Sequence, residues 1–154
     1  AVARMSESSF IRTDYFVDRM TRPEYGEFEI DPAGLLDYRT AIGADDVLIL
    51  ADIQVKYASM VMPRPLADSA RAAHEHGADA VVVTGDMSGD APRLQDLRDA
   101  AEGLPVLVGS GLTPDNAAEL LAECDGAIVG TSLMRNAAVD PDALQSLMSV
   151  VRGR

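Results

Sequence analysis

The sequence is short of cysteine, tryptophan and basic residues, and each shortage removes a class of explanation. A single cysteine, Cys124, excludes an intramolecular disulfide and fits a reducing cytoplasm, which is the expected location. It lies among apolar residues near a predicted helix end, the setting of a buried structural thiol. Lys and Arg total 13 against 25 Asp and Glu, a net charge of -12, so nucleic acid is not an expected partner. The acidic residues are scattered over predicted helix faces, which reads as a solvated surface. No apolar run approaches the roughly 20 residues of a membrane span. The opening residues AVARMSESS lack the basic and apolar regions of a signal peptide. His74 and His76 sit at a helix end in AAHEHGAD, where a favourable charge near the helix dipole is their expected role. Neither HxxxH nor CxxC spacing occurs, so no metal and no cofactor are expected.

What the chain does have is strand-forming runs in regular alternation with helix patterns. At 154 residues and 47% hydrophobic composition, it is long enough for one domain with a sizeable core. Five short apolar runs stand out: Phe10–Ile11, Val47–Ala51, Ala80–Thr84, Val106–Gly109 and Ala127–Gly130. Four are continuous enough for strands buried on both faces, the mark of a parallel sheet. Helix starts follow at Asp31-Pro32, Pro65, Pro92, Thr113-Pro114 and Asp140-Pro141, where a capping side chain, a first-turn proline or both are supplied. Strand and helix alternate along the chain, which predicts a parallel α/β fold with right-handed crossovers.

A faint repeat supports a (β/α) TIM-barrel type. Gly43-Ala44-Asp45, Gly77-Ala78-Asp79 and Cys124-Asp125-Gly126 each end a helix just before a strand, where glycine turns the chain through a left-handed conformation. Five βα units do not close an eight-stranded barrel. Residues 1–154 are therefore expected to form a single domain, the carboxyl-terminal five-eighths of a barrel. A second copy, another chain or another segment would complete it, so a homo-oligomer is among the expected states. The competing architecture is an open doubly wound sheet of flavodoxin type, which predicts a cofactor at a strand-order switch point.

In a barrel the working residues lie at the carboxyl ends of the strands. In VLILADIQVK, period-two alternation puts Leu48, Leu50, Asp52, Gln54 and Lys56 on one face. That face is apolar below and becomes acid, amide and ammonium at the mouth. Arg12 and Asp14 share a face with Phe10 and are expected beside that triplet, with Thr84 from the third strand. Asp14 and Asp52 suit a general acid–base pair or hard-cation ligands. Lys56 suits a phosphate or, if desolvated, the role of amine nucleophile. A closed Arg–Asp–Lys network is the structural alternative. Val106 to Ser132 holds two strands ending in small polar turns, Gly109-Ser110-Gly111 and Gly130-Thr131-Ser132. Side by side, such turns aim backbone N–H groups at one point and favour an anion. The loop Gly85-Asp86-Met87-Ser88-Gly89-Asp90 reads equally as a lid, a phosphate loop or a connector. The segment from Tyr15 to Ile30 reads as polar and irregular.

The stretches FIRTDYF, ADIQVKYAS, GADAVVVTG, PVLVGSGLTPDNAAELL and CDGAIVGTSL, in this order, resemble the carboxyl-terminal part of the BtpA/SgcQ family. The resemblance covers nearly the whole chain and implies a barrel of the ribulose-phosphate-binding type. It implies a phosphate site at the two glycine turns and places Asp52 and Lys56 in a DxxxK stretch. Tyr57 departs from the pattern, standing where the family commonly carries histidine. The family's cyanobacterial member is implicated in photosystem I biogenesis, and other members are thought to be sugar- or nucleoside-related enzymes. The expected function is therefore binding of a small phosphorylated sugar or nucleotide-like ligand, with or without acid–base chemistry on the sugar. A non-catalytic assembly factor that retains the barrel is the second expectation.

Overall fold

In the computed structural model, which describes residues 1–86 and 89–153, five parallel strands stand side by side in the order in which the chain makes them. In chain order the elements are helix α1 (Val2–Met5), β1 (Phe10–Thr13), β2 (Met20–Arg22), β3 (Gly26–Phe28), α2 (Pro32–Ala41), β4 (Leu48–Asp52) and β5 (Ser59–Met60). There follow α3 (Leu66–Glu75), β6 (Ala80–Val83), α4 (Leu94–Ala100), β7 (Val106–Val108), α5 (Ala117–Leu120) and β8 (Gly126–Ala127). A 3-10 turn at Thr131–Leu133, the hairpin β9 (Met134–Arg135) and β10 (Ala138–Val139), and α6 (Pro141–Arg152) complete the fold. The main sheet runs β1-β4-β6-β7-β8, and every pair in it is parallel. The order never reverses, so the switch point of a flavodoxin-type sheet is absent. Sequential order is the arrangement of a (β/α) barrel wall.

The two faces of this sheet differ in a way the alternation of side chains explains. Ile49, Ala51, Val81, Val83, Val106 and Val108 point outward into the main core, packed with Ala70, Ala73, Leu97, Ala117 and Leu120 from the helices. Leu50, Ala80 and Val82 point inward, with Leu107 and Ile128 against them. This inner layer thins toward the amino ends of β1 and β4, where Phe10 is 50% and Leu48 45% exposed.

The repeat before the strands has a physical basis at the amino-terminal ends. Asp79 accepts the Ile49 N–H at 2.8 Å through its carboxylate, and its own N–H returns to the Ile49 carbonyl at 2.9 Å. Asp125 does the same one strand pair further on, with the Val106 N–H and carbonyl at 2.8 and 2.9 Å. Each aspartate thus locks the strand it begins onto the neighbour before it. Gly43 and Gly77 take the left-handed turn expected of them, at φ 63° and 83°, whereas Gly126 simply opens β8. Asp31 and Asp140 cap their helices as expected. Thr113 does not: its N–H donates to Asn116 Oδ1, and the helix begins only at Ala117, with no capping hydrogen bond from the Asn116 side chain.

The segment read as irregular is the main architectural correction. β2 and β3 form an antiparallel hairpin, and β5 pairs with the other edge of β2. This small sheet is carried by the loops after β1 and β4. Its signal was Pro23 in the turn and Gly26, left-handed at φ 74°, at the start of β3.

Candidate functional site

Strand β1 places Arg12, β4 ends on Asp52, and Thr84 and Gly109 follow β6 and β7 directly, so four neighbouring strands deliver these residues to one rim. Arg12 is in register with Leu50 and reaches up its own face to Asp52. The guanidinium meets the carboxylate as a fork, Nε to Oδ2 at 2.7 Å and Nη2 to Oδ1 at 2.6 Å. Asp52 is 2% exposed and the Arg12 side chain 36%. Burial pushes the Asp52 carboxyl up from its ordinary value; Arg12 and Lys56 oppose that shift, and Asp14 adds to it. Asp52 in turn holds the Arg12 guanidinium firmly charged.

Two adjoining cavities open at this rim and share Arg12 and Lys56. The first, of about 360 Å³, is bounded by Gly109, Ser110 and Gly111 on one side and Gly130, Thr131 and Ser132 on the other, with Gly89 at its edge. The second, of about 540 Å³, holds Asp14, Asp52 and Thr84, closed by Tyr15, Arg22 and Tyr57. The described residues thus bring eleven of the twelve expected site residues to these two cavities.

Gln54 is the exception and a correction. Alternation stops at Asp52 because β4 ends there and Gln54 turns left-handed, at φ 47°. Its amide donates to the Arg64 carbonyl and to Ser69 Oγ, both at 3.0 Å. There it joins a clamp in which Arg64 donates to Asp18 at 2.7 Å and to Ser69 at 3.2 Å. Asp18 and Ser69 are buried, so the clamp fastens the loops after β1 and β4 to the start of α3. Lys56 reaches the rim by this loop path and not by strand alternation. It is the only lysine in the chain, and among the described residues it makes no salt bridge.

Gly109 and Gly111 leave no room for a side chain, whereas Gly130 stands in open space. A Cβ on Gly109 would meet Val82 Cγ1 at 2.6 Å and Thr84 Cγ2 at 2.7 Å, with Arg12 Nη2 at 3.3 Å. Gly111, at φ 71°, has the backbone of Asp90 and Ala91 against it, closer than any side chain allows. Two hydroxyls are already committed. Ser110 donates to the Asp90 carbonyl at 2.7 Å and accepts from the Gly85 N–H at 3.3 Å, while Ser132 donates to the Leu112 carbonyl. Ser110 therefore ties the loop after β6 to the site. Met87 and Ser88 of that loop lie outside the described residues, and its reading as a lid or phosphate loop with them. Thr84 Oγ1 is buried without a hydrogen-bond partner among the described residues.

Among the lining residues not foreseen are Tyr15, Arg22 and Tyr57, which wall the second cavity. Tyr15 packs edge-on against Phe28, ring centroids 4.5 Å apart. Burial, with a hydrogen bond to Tyr25, holds the Tyr15 hydroxyl above its ordinary value. Arg22 donates from Nε to the Tyr57 carbonyl and from Nη1 to the Tyr25 hydroxyl, both at 3.0 Å. Among the described residues no cluster of His, Cys, Asp and Glu is arranged to hold a metal ion, and no helix is long and apolar enough to cross a membrane.

A sequentially ordered parallel sheet, helices on its outer face and a charged mouth at its carboxyl ends define a protein of the TIM-barrel type. The chain aligns with thiamine phosphate pyrophosphorylase from Pyrococcus furiosus at TM-score 0.65 and 22% identity, over 99% of this chain and 63% of that one. It aligns with 3-hexulose-6-phosphate synthase at TM-score 0.64 and 14% identity, over 97% and 65%. The model of the BtpA family matches residues 1–153, and the chain belongs to that family. An uncharacterized protein of Archaeoglobus fulgidus is 34% identical over 99% of this chain and 61% of its own length. The photosystem I biogenesis protein BtpA of Synechocystis sp. is 36% identical over 92% of this chain and 51% of its own. The chain thus spans between half and two-thirds of the length of these relatives.

Proposed function

We propose that the chain binds a small phosphorylated sugar or nucleotide-like ligand, with its phosphate in the cavity between Gly109–Gly111 and Gly130–Ser132. The observation that carries this reading is the convergence of two strand-end turns on one cavity whose rim holds Lys56, a cation with no salt bridge among the described residues. Glycine lets backbone N–H groups approach an anion closely, and Lys56 supplies the charge that Arg12 has already given to Asp52. The second cavity then receives the rest of the ligand beside Asp52 and Asp14. A buried carboxyl raised above its ordinary value at the mouth of a cavity suits proton transfer, so Asp52 is the proposed acid or base and Arg12 its positioning partner. Asp14 is the second carboxyl of the pair. The two structurally similar proteins named above are named for phosphate esters, which agrees with this reading.

Calorimetric titration with inorganic phosphate, ribose 5-phosphate and a panel of sugar phosphates tests it. Lys56→Met is expected to weaken the binding of phosphorylated ligands about tenfold, the loss of one charge-assisted contact. Because Lys56 is the only lysine, an amine-reactive label reads it and the amino terminus alone, and bound phosphate should slow the lysine reaction. Absence of binding across the panel, or labelling indifferent to phosphate, refutes the phosphate site.

The 36% identity to a photosystem I biogenesis protein favours one other reading, an assembly factor without chemistry. A protein partner retained by the double variant Asp52→Asn, Lys56→Met would support it.

A further inference from the structure

We propose that the second cavity is a subsite for a planar heteroaromatic ring, so that the ligand carries a base on its phosphorylated sugar. This rests on the phosphate reading of the first cavity and decides between the two ligand classes left open there. Two of the chain's four tyrosines, Tyr15 and Tyr57, line this cavity from separate loops, and a third, Tyr25, holds the Arg22 that lines it with them, in a chain without tryptophan. Tyr15 and Tyr57 both hold left-handed backbone, at φ 61° and 63°. An aromatic residue adopts that conformation only where its surroundings impose it, and such residues concentrate at ligand sites. Here the imposing contacts are visible. Arg22 binds the Tyr57 carbonyl and the Tyr25 hydroxyl together, its guanidinium 5.7 Å from the Tyr25 ring centre. Tyr15 is held edge-on by Phe28. The walls are braced before any ligand arrives, which reduces the entropy lost on binding.

The chemistry of the cavity sorts its contents. Asp14 and Asp52 line it together with Arg12, Arg22 and Lys56, so its charges are largely matched and charge alone does not fix its contents. Asp14, Thr84 and Lys56 suit the hydroxyls of a sugar. Beyond them the lining is Tyr15, Tyr57 and Arg22, aromatic and guanidinium side chains of the kind that suit a flat, polarisable ring. The volume of about 540 Å³ exceeds the need of a sugar alone and falls in the range of ordinary ligand pockets.

The test is calorimetric titration of the native chain with ribose 5-phosphate, AMP, CMP and adenosine. AMP and CMP are expected to bind about tenfold more tightly than ribose 5-phosphate, the worth of one stacked base. Tyr57→Gly and Tyr15→Gly should bring that ratio close to one, and glycine keeps the left-handed backbone without strain. Tyr57→Leu gives a second non-aromatic variant, and Tyr57→Trp should preserve the ratio. A ratio near one in the native chain, with ribose 5-phosphate still bound, overturns the ring subsite and leaves the phosphate site standing. Adenosine binding as tightly as AMP, in a tyrosine-dependent way, does the reverse. Failure of every ligand to bind removes both.

Discussion

Replacing Arg12 with methionine tests the electrostatics of the mouth at its weakest point. The substitution keeps much of the side-chain volume and removes the fork that supplies both oxygens of Asp52 with a donor, at 2.6 and 2.7 Å. Asp52 is 2% exposed, so its charge then stays buried with no hydrogen-bonded partner. Breaking a fully buried pair from one side costs about 3–5 kcal/mol. Arg12 is 36% exposed and solvent already screens part of the pair, so a loss of about 2–3 kcal/mol is expected at neutral pH. The reverse change, Asp52→Asn, leaves the charge on the more exposed partner, which can turn to water, and should cost about 1 kcal/mol. Acidification separates the two. Burial raises the Asp52 carboxyl in the fold above its unfolded value of 3.8, and the loss of Arg12 raises it further. The folded state therefore holds that proton more tightly, and its stability falls as pH rises through the folded value. The Arg12→Met variant should accordingly regain part of its deficit relative to the native chain as the pH is lowered from neutral toward the unfolded value of 3.8. Urea unfolding at several pH values measures this. Equal losses for the two variants, or a deficit for Arg12→Met that ignores pH, would refute the assignment of Asp52 as a carboxyl strained by burial.

Three other outcomes follow from named contacts. Asp79→Asn and Asp125→Asn should each cost about 1–2 kcal/mol by weakening the tie between a strand start and its neighbour. Ligand affinity should not change, since both lie at the end of the sheet away from the cavities; denaturant titration and calorimetry report the two effects separately. Ala137→Gly should raise stability by about 0.5 kcal/mol, because Asn136 and Ala137 both stand left-handed, at φ 51° and 61°, in the two-residue turn of the β9–β10 hairpin. A lower melting temperature would contradict this. Ile49→Ala should cost about 2–4 kcal/mol while Leu48→Ala costs less than about 1, because Ile49 is fully buried and Leu48 45% exposed. Equal costs would show that the inner face at Leu48 is covered in solution.

The sequence by itself determined the class of fold. Continuous apolar strands, helices opened by Asp-Pro and a repeated Gly-Ala-Asp before the strands are local signals, and each formed what it specifies. The two glycine turns were legible for the same reason. A run of glycine, serine and threonine at the end of an apolar strand is a local pattern and can be read directly. Arg12 and Asp52 were found because alternation within a strand fixes which face a residue takes, and Thr84 because it stands at the carboxyl end of an apolar run. That rule ends where the strand ends. Gln54 therefore went to a clamp with Arg64, Asp18 and Ser69, while Lys56 reached the mouth by a route alternation does not describe. Tertiary structure alone decided the rest, because it depends on segments distant in the chain. It joined Arg12 to Asp52 across 40 residues and folded residues 20–28 into a hairpin. It set Tyr15, Arg22 and Tyr57 as the walls of a second cavity, through contacts no local pattern encodes.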